Sequence, residues 1–457
     1  MFLSKRSVDA TKGALLPLII TYAFPLIVST LIQSLFNAVD LAVLGTMAST
    51  TAVASVGATS AITALIVHTF VGLSTGTKLI IARLIGMKDS RSIRKTVNTS
   101  LLLAVFLGIF IAVFGCIFAP QFLLWVNCPS DCFKGAVLYI RLYFCGAPAI
   151  LLYNYGSAVI TTSGDTQRPL YYILAGGLLN VVLNIILCII LPEKVMAVAI
   201  ATVAAQLLGA ILVVHRLCKM DGDCRLDLRD IHFDFPALWK ILRYGVPISL
   251  SAMIYPLSNL QIQSAINSFD PVFGTATAGS SASGTIESIP SAFVTSFGST
   301  CAVFVGQNIG AGKPNRVKKS FWLCLIVSVV TTAIIGGLLY LTGEFWLSIL
   351  VKNDPKAIHF GMIRMFYLAL FYFVVAANNT LSNTIQTYGY PAVSTVISVV
   401  GVLIFRVIWM ALIYPHFETF DNLMLCFLVS WLTVLASNII ALSIIMIRSG
   451  KGSFKKL

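Results

Sequence analysis

The sequence is short of charge. Only 11% of its 457 residues are Asp, Glu, Lys or Arg, against 58% hydrophobic residues. A soluble globular domain carries roughly 25% charged residues, so this composition excludes a water-soluble protein and leaves a polytopic membrane protein. Acidic residues are the scarcer sign, 17 against 31 basic. An excess of this size could suggest nucleic acid, but the positions of the basic residues explain it better, and no nucleic-acid partner is expected. The GxxxxGK[ST] phosphate loop is missing. Gly310-Ala311-Gly312-Lys313 is only glycine-rich, which disfavours direct use of ATP. Neither enzymatic activity nor a cofactor is expected. No small-residue cleavage pattern follows the first apolar segment, so a cleaved signal peptide is not expected. Clustered metal ligands are lacking too. Most of the ten cysteines lie inside apolar runs, where they act as small hydrophobes. Cys128 and Cys132 differ, flanking Pro129, Ser130 and Asp131. They could form a disulfide on an oxidising face.

What is present is a series of long apolar segments. From Leu15 to Val39 there is no charged residue, enough for a helix to cross a hydrocarbon core of roughly 30 Å. Pro25 should bend this helix. Asp40 follows, and then the apolar Leu41–Leu44. About twelve such spans begin near residues 15, 50, 94, 134, 170, 195, 240, 276, 319, 357, 392 and 422. The segment 276–304 is rich in Gly, Ser, Ala and Thr, a composition that packs inside a bundle.

Basic residues orient the spans. With the N-terminus cytoplasmic, 23 Lys and Arg fall on the cytoplasmic face and only Lys134, Lys194, Lys352 and Lys356 on the other. Both termini are therefore expected in the cytoplasm. The longest hydrophilic connection, 218–239, divides an N-lobe (1–217) from a C-lobe (240–457), each with six spans. The lobes repeat one another. Tyr22 to Pro25 matches Tyr244 to Pro247, Gly86 matches Gly310, and Thr162-Ser163-Gly164 matches Thr387-Tyr388-Gly389, at offsets of 222, 224 and 225 residues. Six spans per lobe make the repeats parallel, with a pseudo-two-fold axis along the membrane normal. Two such halves are a transporter architecture.

At these landmarks the sequence resembles the multidrug and toxic compound extrusion (MATE) family, in its prokaryotic DNA-damage-inducible-like and Mep-like branch. The resemblance rests on the Pro25 to Asp40 helix with Val43-Leu44-Gly45, on Val305-Gly306-Gln307-Asn308-Ile309-Gly310-Ala311-Gly312, and on the 6+6 layout. It implies an all-α, V-shaped fold of 12 transmembrane helices in two six-helix bundles. It implies a monomeric antiporter in the bacterial inner membrane, embedded in lipid, exporting small amphipathic organic cations in exchange for H⁺ or Na⁺. An acidic residue late in the first span is a coupling element in that branch and matches Asp40. Its partner cluster matches Asn180 and Asn184 on the fifth span. Some relatives carry Asp where this chain has Asn184, and Asn cannot titrate.

Asp40 could bind a proton or Na⁺, or could cap the rim of its helix. Asn180 and Asn184 stand one turn apart on one helix face. Their carbonyls could join Asp40 in holding Na⁺, or could bond between helices. Asp40 is not duplicated, since the second lobe has Ile262 at the same offset. Glu287 lies within the eighth span, with no Lys or Arg between Ala276 and Lys313, so its partner must come from another helix or from water. It could pair structurally, or titrate and meet a cationic substrate. Arg406, the most central of the arginines within spans, could neutralise Glu287 or line the cavity. Arg141 and Arg364 read as snorkelling to headgroups. Gln33, Asn37, Tyr139, Asn154, Met253, Tyr255, Asn259 and Gln263 are candidate cavity residues. The competing reading is a flippase or exporter of a lipid-linked or anionic amphipathic substrate.

Overall fold

Long apolar runs with few breakers fold here as long helices. The computed structural model describes residues 8–47, 50–126, 128–269 and 274–450, and every regular element among them is helical. Lys5, Arg6, Lys451, Lys455 and Lys456 of the orientation count lie outside the described residues.

Among the described residues, nine helices are long and apolar enough to cross a membrane. They include α1 (Leu15–Met47), α2 (Thr50–Met87) and α3 (Ser90–Trp125), and α6 (Gln167–Ile190) and α7 (Lys194–Lys219). Two more spans are bent pairs, α4 (Ser130–Cys145) with α5 (Ala147–Thr162) at 45°, and α12 (Pro355–Tyr367) with α13 (Tyr372–Thr387) at 44°. The first bend has a local cause. Gly146 follows Cys145, and Pro148 opens α5 without an amide donor, which breaks the ladder. The intervening α8 (Phe235–Ser268) has 34 residues, and its Asn259, Gln261 and Gln263 keep it below the apolarity of the rest. These are the twelve rods the sequence announces.

The second half continues with α9 (Thr275–Gly310), α10 (Pro314–Leu341) and a short α11 (Gly343–Leu350) that the apolar pattern does not separate. After α13 the chain is α-helical over Pro391–Ser398 (α14) and Phe405–Ile408 (α15), with π-helical turns at Val399–Ile404 and Trp409–Ile413. The last helix is α16 (Phe420–Gly450). The central window of α9 is 72% buried, as its small residues require.

The chain divides into two compact units, and the division falls inside helices. One unit holds Phe24–Ser249 with the described N-terminal residues before Thr11; the other holds Thr11–Ala23 and Leu250 onward. The first turns of α1 and of α8 thus each belong to the unit that the remainder of the helix does not. In the first unit α2 packs on α3, α4 and α5, and α7 on α4, α5 and α6. In the second, α9 packs on α10, α12 and α13, and α16 on α12 and α13.

The repeat reaches the helix caps. Lys88 (φ 57°) and Gly312 (φ 65°) end α2 and α9 in the left-handed region. Asp89 N–H bonds Leu84 O at 3.2 Å, and Lys313 N–H bonds Asn308 O at 3.0 Å. These six-to-one bonds satisfy carbonyls that a helix end leaves open. Within the first unit, Gly72 and Gly76 of α2 face Gly245 and Ser249 of α8. A Cβ on Gly76 would stand 2.5 Å from the Gly245 nitrogen, so only glycine permits this approach. The segment after α7 is fastened to α3. Asn98 Nδ2 donates to Asp230 O at 2.9 Å, and Lys95 Nζ reaches Asp234 Oδ2 at 2.5 Å.

Candidate functional site

The first-unit site forms where the late turns of α1 meet α6. Gly177 makes the approach possible, since a Cβ there would lie 1.8 Å from the Phe36 ring. Phe36 is one turn before Asp40, so this contact sets the height of the carboxylate. The Gly176-Gly177 pair was its available signal in the sequence. Asn184 Nδ2 donates to Asp40 Oδ1 at 2.6 Å and to Asn180 Oδ1 at 3.2 Å. Asn180 Nδ2 in turn reaches Thr202 Oγ1 of α7 at 3.5 Å, a residue that hydropathy did not single out. Asn180 and Asn184 are buried and Asp40 is half-buried. Among the described residues, the carbonyl Oδ1 of Asn184 is buried without a hydrogen-bond partner. An unpaired buried acceptor is costly. Beside a carboxylate it gives an oxygen-rich pocket suited to a hard cation.

Of the neighbouring candidates, Tyr139 is buried and within electrostatic reach of Asp40. Asn154 spends its amide on Ile150 O of its own helix at 2.8 Å. Gln33 and Asn37 are exposed on α1.

The second unit holds a different arrangement. Glu287 is bound by Arg364, not by Arg406. Arg364 Nε donates to Glu287 Oε1 at 2.8 Å and Nη2 to Oε2 at 3.0 Å, while Nη1 bonds Ser280 Oγ at 2.8 Å. Ser283 Oγ donates to Glu287 Oε1 at 3.2 Å. Two expectations are corrected together. Arg364 does not snorkel to headgroups, because a buried carboxylate one helix away offers a bidentate fork-to-fork fit. Arg406 does not neutralise Glu287. Ser280, Ser283, Gly284 and Glu287 share one face of α9, a spacing that marked where a cation had to arrive.

Arg406 is 1% exposed. Its Nε donates to Ser430 Oγ at 3.1 Å and its Nη1 to Asn259 Oδ1 at 3.0 Å, and its guanidinium lies 4.3 Å from the Phe427 ring centroid. All of these partners are neutral. The two π-helical stretches flank it, and such turns gather at functional positions. Tyr255 packs against that region with Val399 and Leu403. Met253 is half-buried, and Gln263 Nε2 bonds Asn267 Oδ1 at 2.9 Å. Cys128 and Cys132, a possible disulfide, are free thiols with their sulfurs 3.7 Å apart.

The profile of the MatE family matches residues 25–186 and 247–412, one match to each half and together most of the chain. The chain belongs to the MatE family. It is similar to "Probable multidrug resistance protein YpnP" of Bacillus subtilis, with 22% identity over 413 residues covering 88% of this chain and 89% of that protein. It is also similar to the "FAD transporter" of Shewanella oneidensis, with 24% identity over 362 residues, 76% of this chain and 77% of that one. Its fold matches that of a multidrug resistance MATE family transporter of the MOP superfamily in the outward-facing conformation. The TM-score is 0.87 at 19% identity, over 97% of this chain and 98% of the other. The MatE chain is accordingly a multi-pass membrane transporter, and both matched halves carry one of the two charge arrangements described above.

Proposed function

We propose that the protein is a secondary multidrug exporter that exchanges amphipathic organic cations for H⁺ or Na⁺ by alternating access. The observation that carries this reading is Asp40 held by Asn184 while the Asn184 carbonyl stays unpaired inside the bundle. A coupling ion needs a site that changes its charge or ligation between states. Asp40 supplies the carboxylate, and Asn180 and Asn184 supply oxygens that could turn to Na⁺ when it replaces the amide hydrogen bond. Names given to relatives at 22% identity point the same way. The protein would act as a monomer in the bacterial inner membrane with both termini cytoplasmic, the orientation that the basic residues favour.

The test is transport. The protein is reconstituted in liposomes and the movement of a fluorescent organic cation is followed under an imposed Na⁺ or H⁺ gradient. Gradient-driven movement is expected in the wild type, with a loss of tenfold or more in Asp40→Asn, about the 1.4 kcal/mol of one decade. No gradient-driven movement of the wild type overturns the reading. Varying Na⁺ at fixed pH identifies the ion.

A second reading has its own observation. Among the described residues Arg406 is a buried cation with only neutral partners, where membrane interiors usually pair charge. This favours a substrate with an anionic group, as in an amphipathic phosphate ester, and a relative named for transport of FAD is consistent with it. A phosphate-bearing fluorescent substrate in the same liposomes separates the two readings.

A further inference from the structure

A cleft of about 700 Å³ opens between the first turns of α3 and the segment that follows α7. Arg91, Arg94, Lys95 and Arg225 line it, together with the carboxylates of Asp227 and Asp230. Lys95 is already engaged by Asp234. Arg91, Arg94 and Arg225 are exposed and make no ion pair among the described residues. Three guanidiniums that line one cleft, with no ion pair among the described residues, suit an anionic group.

The surroundings say which anion. Asp234 accepts from Lys95 and its N–H donates to Thr99 Oγ1 at 3.1 Å. The start of α8 is thereby fixed at the level of the first turns of α3, and both helices run from that level into apolar segments. At the same level a large apolar face is left bare. Phe235 is 74% and Trp239 68% exposed, and they stand four apart on one helix face. Phe233 packs edge-on against Phe235 at 5.3 Å. Aromatic side chains of this kind settle at the boundary between acyl chains and headgroups. A basic cleft beside them matches a phosphate at the same depth. Asp227 and Asp230 make the cleft unsuited to a bare multivalent anion, but they can accept from hydroxyls carried beside a phosphate.

We propose that this cleft binds the headgroup of an anionic phospholipid of the phosphatidylglycerol type. Arg91, Arg94 and Arg225 hold its phosphate, and the Phe233, Phe235 and Trp239 face lies in the headgroup boundary. The site is separate from both charge arrangements within the spans, and the proposal does not depend on which substrate the transporter carries.

The experiment is native mass spectrometry of the full chain, offered phosphatidylglycerol and phosphatidylcholine in equal amounts. The wild type should retain phosphatidylglycerol preferentially. R91Q/R94Q/R225Q should lower that preference by about tenfold or more, since each basic residue near the surface contributes close to a decade. The single variant Arg94→Gln serves if the triple does not fold, with a smaller fall in the same direction. Lys318→Gln with Lys319→Gln, an exposed basic pair elsewhere, should leave the preference intact. Wild-type preference in the cleft variants overturns the proposal, as does an equal fall in the Lys318/Lys319 control. Displacement of the lipid by millimolar inorganic phosphate also overturns it, by showing a site for free phosphate.

Discussion

A single glutamate in a membrane bundle is stable only with a partner, and Glu287 has its partner in Arg364. The pair is nearly buried on both sides, with 15% and 11% of the two side chains exposed. Removing one member of such a pair typically costs about 3–5 kcal/mol, because the other charge stays buried without compensation. Arg364→Gln and Glu287→Gln should each lower the apparent melting temperature in detergent strongly. The double variant should be less destabilised than the sum of the two, and additive effects would mean that the pair carries no coupling. The sequence left the partner of Glu287 to another helix or to water. It pointed to Arg406 rather than Arg364; both sit in apolar spans, and helix neighbours are not written in hydropathy. Two amides one turn apart put Asn180 and Asn184 on one face, and their grouping with Asp40 was implied by the family resemblance. Gly177 is marked only by the Gly176-Gly177 pair, and Thr202, which Asn180 reaches from α6, carries no signature of its own.

Helices and their ends were legible to different degrees. The matched glycines Gly86 and Gly310 marked one register in both halves, and the caps built around Lys88 and Gly312 keep that register in three dimensions. They also expose a difference. An L side chain in the left-handed region carries a penalty of roughly 1–2 kcal/mol that glycine does not. Lys88→Gly should therefore raise thermal stability by about 1 kcal/mol, less whatever glycine adds to the entropy of the unfolded chain. An unchanged or lower melting temperature would show that the Lys88 side chain contributes more than its backbone costs. The break at Gly146 has a cause in the sequence, Pro148 at the start of α5, which the apolar pattern alone does not reveal. The bend between α12 and α13, and the π-helical turns around Arg406, lack any proline or periodic marker, and they follow from tertiary packing.

At the scale of the molecule, apolar runs say that a helix crosses a membrane but not which bundle each end of it joins. The sequence placed the boundary between the halves at 218–239, the most hydrophilic stretch. The compact units instead divide within α1 and α8, and residues 218–239 stay with the first unit. What ties them there is a small set of polar contacts that can be tested by charge. Asp234 is held below the usual carboxylate range, first by the Lys95 ammonium that donates to it and then by the Ala237 N–H. A carboxyl depressed in the folded state adds stability above its unfolded value, and loses it as pH falls through the folded one. The contribution is thus complete at neutral pH and fades only below about pH 4. Asp234→Asn isolates the charge, because Asn still caps α8. An ion pair with this much solvent contact contributes at most about 1 kcal/mol. Hydrogen exchange at Leu226, whose N–H bonds Leu217 O at 2.9 Å, reports the docking of the segment. Its protection, corrected for intrinsic rate, should hold from pH 7 to pH 5 in the wild type. It should fall about fivefold in Asp234→Asn at pH 7, the Boltzmann factor of that energy. Unchanged protection in the variant would mean that the Asn98 and Leu226 hydrogen bonds hold the segment without the ion pair.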